Sequence, residues 1–279
     1  MLYEKSNQSE EDGMHRFPFL TFVLIGIYFI SCAPEEPRDL LDGEIIDLTY
    51  PFSEETIFWP TEERGFELEE LHRGYTDAGY YYTANRFCTA EHGGTHLDAP
   101  IHFYEDRREA HEIPLEDLIG TGIVVDVTEQ TAADRDYRVR ISDFQSWEQL
   151  HGRIPDGAII IIRTGWGQYW PDRNAYLGTD IIGEEAIPEL SFPGLHHETA
   201  EWLLNERNIK AIGIDTASID YGQSTEFKSH VILARENIPI FENVAYVDQL
   251  PFDGFTIIAL PMKIEHGSGG PLRIVAVID

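Results

Sequence analysis

Thirteen residues constrain this chain more than any others: Glu91-His92-Gly93-Gly94-Thr95-His96-Leu97-Asp98-Ala99-Pro100-Ile101-His102-Phe103. His92, His96, Asp98 and His102 fall within eleven residues, all at even positions. In an extended chain alternate side chains share a face. The even face is therefore polar and suited to metal, while Thr95, Leu97, Ala99, Ile101 and Phe103 suit a core. A helix would also bring His92 and His96 together, but the Gly pair and Pro100 oppose one. A straight strand sets His92 and His96 about 13 Å apart at about 3.3 Å per residue. Ligands of one ion each approach it to about 2.0–2.2 Å. The chain must curl, and Gly93-Gly94 is where a bulge or a positive φ costs least. His96 and Asp98, two apart on one strand face, can chelate with little help. A lone His is best read as satisfied by its own hydrogen bond, but His-x3-His-x-Asp-x3-His with a Gly-Gly hinge predicts a metal site.

The same stretch resembles the signature of the metal-dependent cyclase family, which includes bacterial kynurenine formamidases and isatin hydrolases. The family pattern H-x-G-T-H-x-D-x-P-x-H-F matches at every fixed position. Asp215-Thr216-x-Ser218-Ile219-Asp220 and Leu260-Pro261-x-Lys263-Ile264-Glu265-x-Gly267-Ser268-Gly269 also resemble family segments. The likeness runs from about Asp47 to the C-terminus. His266 departs from it, standing where a small residue is more usual.

With 279 residues and 42% apolar side chains, the chain suits a globular protein with a sizeable core. Its net charge of −30 speaks against nucleic acid, whose phosphates it would repel. Phe17 to Ile30 is almost wholly apolar, too short for a membrane span of about 20 residues but right for a signal segment. Ser31-Cys32 closes that run, and residues 32–42 read as a tether. The expectation is a lipoprotein signal over residues 1–31, lipidation at Cys32, and export to the periplasm or a membrane anchored through that lipid alone. The segment before Met14 is acidic for such a signal, so Met14 competes with Met1 as the start. An uncleaved anchor or a buried strand is the competing reading. With Cys32 lipidated, Cys88 has no disulfide partner and reads as a buried, inert thiol.

Residues 43–279 read as a single domain. Gly43 to Thr49 is the first strand, and residues 61–83 a hairpin or loop over the site. Gly122 to Val127 and Ala158 to Arg163 are buried strands. Ser142-x-x-Gln145 predicts a capping box opening a helix with Phe144, Trp147 and Leu150 inward. Thr199 to Asn208 is a helix, Ala211 to Asp215 a strand, and Ser229 to Arg235 a short helix. Two strands, Thr256 to Pro261 and Leu272 to Val277, end the chain. Strands alternating with helices make the class α/β. The resemblance, not the periodicity, implies a swivelling β/β/α fold with a mixed, partly barrel-like sheet and flanking helices.

Read alone, His230 and Glu242 are a capped helix residue and a residue after a strand. The resemblance implies that both join the metal centre, since the family places a His and, twelve residues on, a Glu there. A centre of His92, His96, Asp98, His230 and Glu242 suits one or two Zn²⁺ or Mn²⁺ ions, with Asp98 able to bridge. His102, set beyond Pro100, is the candidate general base. Trp59 reads as a packing residue or, by resemblance, a wall of the substrate site, where it and Phe103 could sandwich an aromatic ring. The resemblance implies hydrolysis of an amide in a small aromatic substrate, either an N-formylkynurenine-like aryl formamide or an isatin-like cyclic amide. The rival is a non-catalytic lipoprotein that binds metal or a small ligand. A Ser-His-Asp hydrolase is disfavoured, because no G-x-S-x-G elbow is present. A homodimer or higher homo-oligomer is expected.

Overall fold

Alternation of β-branched runs with amphipathic stretches sets the order of elements in the computed structural model, which describes residues 43–278. The proposed signal, tether and Cys32 lie outside the described residues. The strands and helices run β1 (Glu44–Asp47), β2 (Glu67–Tyr75), β3 (Tyr81–Cys88), β4 (His96–Asp98), α1 (Leu115–Leu118), β5 (Ile119–Asp126), α2 (Thr128–Ala133), β6 (Arg138–Val139), α3 (Ile141–His151), β7 (Ala158–Arg163) and α4 (Arg173–Leu177). They continue β8 (Gly194–Leu195), α5 (His197–Glu206), β9 (Ile209–Ile214), α6 (Lys228–Arg235), β10 (Ile240–Glu242), β11 (Phe255–Pro261) and β12 (Gly269–Ile278). No helix of the described residues is long and apolar enough to cross a membrane.

The main sheet has the order β1-β12-β11-β5-β7-β9-β10-β4, and β4 pairs back onto β12. Seven strands therefore close into a barrel, with β1 added outside it on β12. Strands β5, β7, β9 and β10 are mutually parallel, and the other pairs are antiparallel. Parallel strands covered on both faces read as continuous apolar runs, which is why Ala158 to Ile162 carries no polar residue. The period of two then sorts that run. Ile159 and Ile161 enter one core with Leu97, Val124, Phe241 and Ile257. Ile160 and Ile162 enter another with Phe144, Trp147, Leu203 and Leu233 from α3, α5 and α6.

Three expectations need correction. The α3 helix begins at Ile141, and its cap is the Arg140 N–H donating to the Asp143 carboxylate at 2.7 Å rather than a box between Ser142 and Gln145. Leu150 is 82% exposed, because the layer that covers Phe144 and Trp147 does not reach the last turn of α3. Cys88 is exposed, not buried. It ends β3, which pairs only with β2 in a separate two-stranded sheet, and among the described residues that hairpin's Leu68, Tyr82 and Phe87 stay about half exposed or more.

Candidate metal centre

The three-residue strand β4 closes the barrel and carries the first ligands. Gly94 adopts φ +56°, so the chain curls where a side chain would cost most. Asn243 fixes the bend by donating to Gly94 O at 2.7 Å, while Tyr176 donates to Asn243 Oδ1 at 2.8 Å. Thr95 ties the next residue down through Asn243 O at 2.7 Å. Register then places Glu242 of β10 opposite His96, and Gly269 of β12 opposite Asp98. A Cβ on Gly269 would come within 2.6 Å of the His92 ring, so β12 can approach only as glycine. His230 arrives from the first turn of α6.

The structure brings His92, His96, Asp98, His230 and Glu242 together. His92 Nδ1 and His96 Nε2 stand 2.6 and 3.2 Å from Asp98 Oδ1, and His230 Nε2 stands 3.2 Å from Asp98 Oδ2. Glu242 lies 3.0 Å from His230 Nε2 and 3.5 Å from His96 Nε2. The donors form two groups that share Asp98: His92, His96 and Asp98, and Asp98, His230 and Glu242. Within each, one ligand atom per residue lies within 4.8 Å of the others. His102 stands outside both groups, its ring stacked on His92 at 3.8 Å.

Each ligand ring has its second nitrogen committed. His96 Nδ1 donates to Gly94 O at 3.0 Å, and His230 Nδ1 to Asp220 Oδ2 at 2.7 Å. Both Nε2 atoms are thereby left to face the carboxylates. His92 is reversed. Ser268 Oγ gives its own proton to Glu91 at 2.6 Å, so it accepts from His92 Nε2 at 2.8 Å and leaves Nδ1 inward. Such outer partners fix tautomer and orientation. Asp220 also accepts from the N–H groups of Ser229 and His230, each at 3.1 Å, so one buried carboxylate both starts α6 and orients its histidine.

Electrostatics favour a cation here. Burial drives the Asp98 carboxyl upward, but the charge of His92 and hydrogen bonds from His230, His92 and His96 bring it well below its usual range. Burial and the neighbouring Asp98 charge raise Glu242. Burial lowers His96 and His230, yet Asp98 and Glu242, with Asp220 for His230, outweigh it and raise both. Two buried carboxylates facing three imidazoles, without lysine or arginine in contact, form a donor set that fits a divalent ion of the Zn²⁺ or Mn²⁺ kind. His102 behaves differently: its ring is open to the adjoining cavity, but the enclosing walls push its pKa down to about 4.

That cavity holds about 360 Å³ and reaches His102 and the ligand cluster. Trp59 and Phe103 both line it, as do Phe58 and Phe227. Phe103 packs over His230 at 4.2 Å, and Phe227 bridges Phe103 and Trp59 at 5.3 and 6.0 Å. The β2–β3 hairpin lends no lining residue; only its flanks, Thr61, Glu62 and Ala90, do. Sequence reasoning gave no role to Asp220, Glu91, Ser268, Asn243 or Phe227. Asp220, Ser268 and Asn243 stood inside segments resembling the family, the one signal available.

A closed mixed barrel whose plugging strand carries imidazole and carboxylate ligands is the architecture of swivelling β/β/α metal-dependent hydrolases. The chain belongs to the cyclase family, whose sequence description, "Putative cyclase", matches residues 46–221. The isatin hydrolase of Roseibium aggregatum is 30% identical over 75% of this chain and 81% of its own length. Isatin hydrolase A from Ralstonia solanacearum superposes with a TM-score of 0.75 at 32% identity, covering 85% of this chain and 92% of that one. A kynurenine formamidase from Bacillus anthracis is 24% identical over 82% of this chain and 95% of its own. These relatives are hydrolases of C–N bonds, and they place the chain among metal-dependent amide hydrolases.

Proposed function

We propose that this protein opens the cyclic amide of a small, uncharged aromatic substrate of the isatin type. The observation that carries the choice is the charge of the cavity wall. Trp59, Phe58, Phe103 and Phe227 line it, Glu62 lies among them, and no lysine or arginine of the described residues does. An N-formylkynurenine-type substrate brings a zwitterionic α-amino acid head: Glu62 can meet its ammonium, but no lysine or arginine of the described residues lines the wall to take its carboxylate, and burying a charge without a partner is costly. A flat neutral bicycle needs only aromatic faces and a carbonyl directed at the ligand cluster.

One or two Zn²⁺ or Mn²⁺ ions held by His92, His96, Asp98, His230 and Glu242 would supply Lewis acidity to the carbonyl and to the attacking water. Phe103 and Trp59 hold the ring. His102, neutral and open to the cavity, takes a proton from the water as its oxygen bonds to the carbonyl carbon. The same proton goes to the ring nitrogen as the C–N bond breaks, leaving an aryl amine and a carboxylic acid on one product, and the acid gives the second water proton to solvent to become the carboxylate. A base kept free of the ligand groups supports hydrolysis over the alternative of ligand storage, which the relatives do not support. Comparing kcat/KM on isatin and N-formylkynurenine with metal-loaded protein tests the choice. Isatin should be favoured by about tenfold or more; the reverse order would overturn it.

A further inference from the structure

A second cavity, of about 540 Å³, shares no lining residue with the first. It opens beyond the carboxyl ends of the parallel strands β7 and β9, where Gly165 and Asp215 leave the sheet. Strand ends diverge into loops there, and α/β sheets commonly bind ligands in the crevice so formed. Three carboxylates line it, Asp215, Asp248 and Glu55, and no lysine, arginine or histidine of the described residues does. Asp215 is buried and accepts from Thr164 N, Thr164 Oγ1, Gly165 N and Trp166 N at 2.9, 2.6, 2.9 and 3.1 Å. Those four donors fill its oxygens, so it acts on the cavity through its field. Asp248 is exposed at the rim and free to make a direct contact.

The aromatic part is as specific. Tyr50 is 5% exposed, stacks on Trp170 at 4.2 Å with 5° between the planes, and meets Tyr246 at 5.6 Å. Its hydroxyl has no hydrogen-bond partner among the described residues. It stands beside Gly167 of the cavity wall, where an added Cβ would lie 3.0 Å from it. Burial, and then the charges of Asp215, Tyr246 and Asp248, hold this phenol well above its ordinary pKa, so it stays neutral and offers a lone pair.

We propose that this cavity is a separate binding site for a small organic ammonium ion with an apolar body. The ammonium N–H groups donate to Tyr50 Oη and the Asp248 carboxylate, and the hydrocarbon lies against Trp170 and Tyr246. Ring faces and carboxylates attract the same charge. The site does not rest on the hydrolase reading.

The test is titration of the metal-loaded protein with butylammonium chloride at fixed ionic strength, followed by calorimetry and by tryptophan fluorescence, with Trp170→Phe identifying the share of the signal that comes from Trp170. Butanol, tetramethylammonium and potassium serve as probes that lack charge, N–H donors or an apolar body. Saturable butylammonium binding is expected, with each of the other three weaker. Tyr50→Phe removes the acceptor without changing shape and should weaken binding by about tenfold, the scale of one hydrogen bond to a charged group. Asp248→Asn should weaken it too, and both variants should keep the parent melting temperature. Absence of saturation, equal binding of tetramethylammonium or potassium, or unchanged affinity in Tyr50→Phe and Asp248→Asn would overturn the proposal.

Discussion

The His102 ring is neutral across the physiological range because enclosure pushes its pKa down to about 4. A neutral ring has a lone pair to accept a proton from water, although the same enclosure lowers its basicity. His102→Ala should lose activity by about 10²–10⁴-fold, the range of general bases, while elemental analysis finds its metal retained. Loss of metal along with activity would make His102 a ligand. Asp220 offers a sharper separation of roles. Asn caps helices as well as Asp does, so a purely structural Asp220 would tolerate Asp220→Asn. A carboxylate that fixes the His230 tautomer would not, since an amide NH₂ facing Nδ1 reverses it. Metal affinity, read by chelator competition, should fall by about 10–100-fold. Unchanged affinity would leave Asp220 as a cap.

Elements carry the site because they are short and closely opposed. Strand β4 has three residues, yet it pairs with both β10 and β12 and closes the barrel. Its approach turn leaves no room for a side chain: a Cβ on Gly93 would fall 2.0 Å from the Phe58 ring. Gly93→Ala should cost about 1–3 kcal/mol, the usual penalty of overpacking, read by urea unfolding, and should also lower metal content as the turn shifts His92. Wild-type values of both would mean that Phe58 yields freely. The β2–β3 hairpin is the opposite case. Tyr75, Tyr80, Tyr81 and Phe87 are all at least half exposed, and its stability rests on cross-strand pairs such as Tyr75 with Tyr81 and Glu69 with Arg86.

Across the whole molecule, the ligands arrive from segments far apart in sequence: the turn before β4, β4 itself, α6 and β10. An ion held by all of them ties the barrel closure to the helix layer. Anything bound only by the native state stabilises it, by about 2.7 kcal/mol at a hundredfold excess over Kd. Stripping with a chelator should lower the melting temperature, and adding back Zn²⁺ or Mn²⁺ should restore it. Identical melting of stripped and loaded protein would show that the folded ligand cluster binds no ion of this kind.

The residues by themselves determined much of the centre. The parity of His96 and Asp98, and the Gly pair between His92 and His96, call for a curled chain with one polar face, and Gly94 curls as that reading demands; the strand itself spans only His96–Asp98, and His102 lies in a 3-10 turn, Pro100–His102, instead of on the extended face. Burial of β7 on both faces follows from sequence in the same way, because its run from Ala158 to Ile162 has no polar residue. His230 and Glu242 were legible only through resemblance, because no local pattern links residues on different elements. What tertiary structure alone decided is whatever depends on a neighbouring layer. Among the described residues, Leu150 fits an inward stripe but is left exposed, and Cys88 ends a strand that joins only the β2–β3 hairpin and stays exposed itself. Asp220, Glu91 and Ser268 acquire their partners only when the chain folds, since a hydrogen bond is set by position in space and not by spacing along the chain. The second cavity belongs here too: Tyr50, Trp170, Asp215 and Tyr246 come from four separate segments, and only the barrel brings them to one wall.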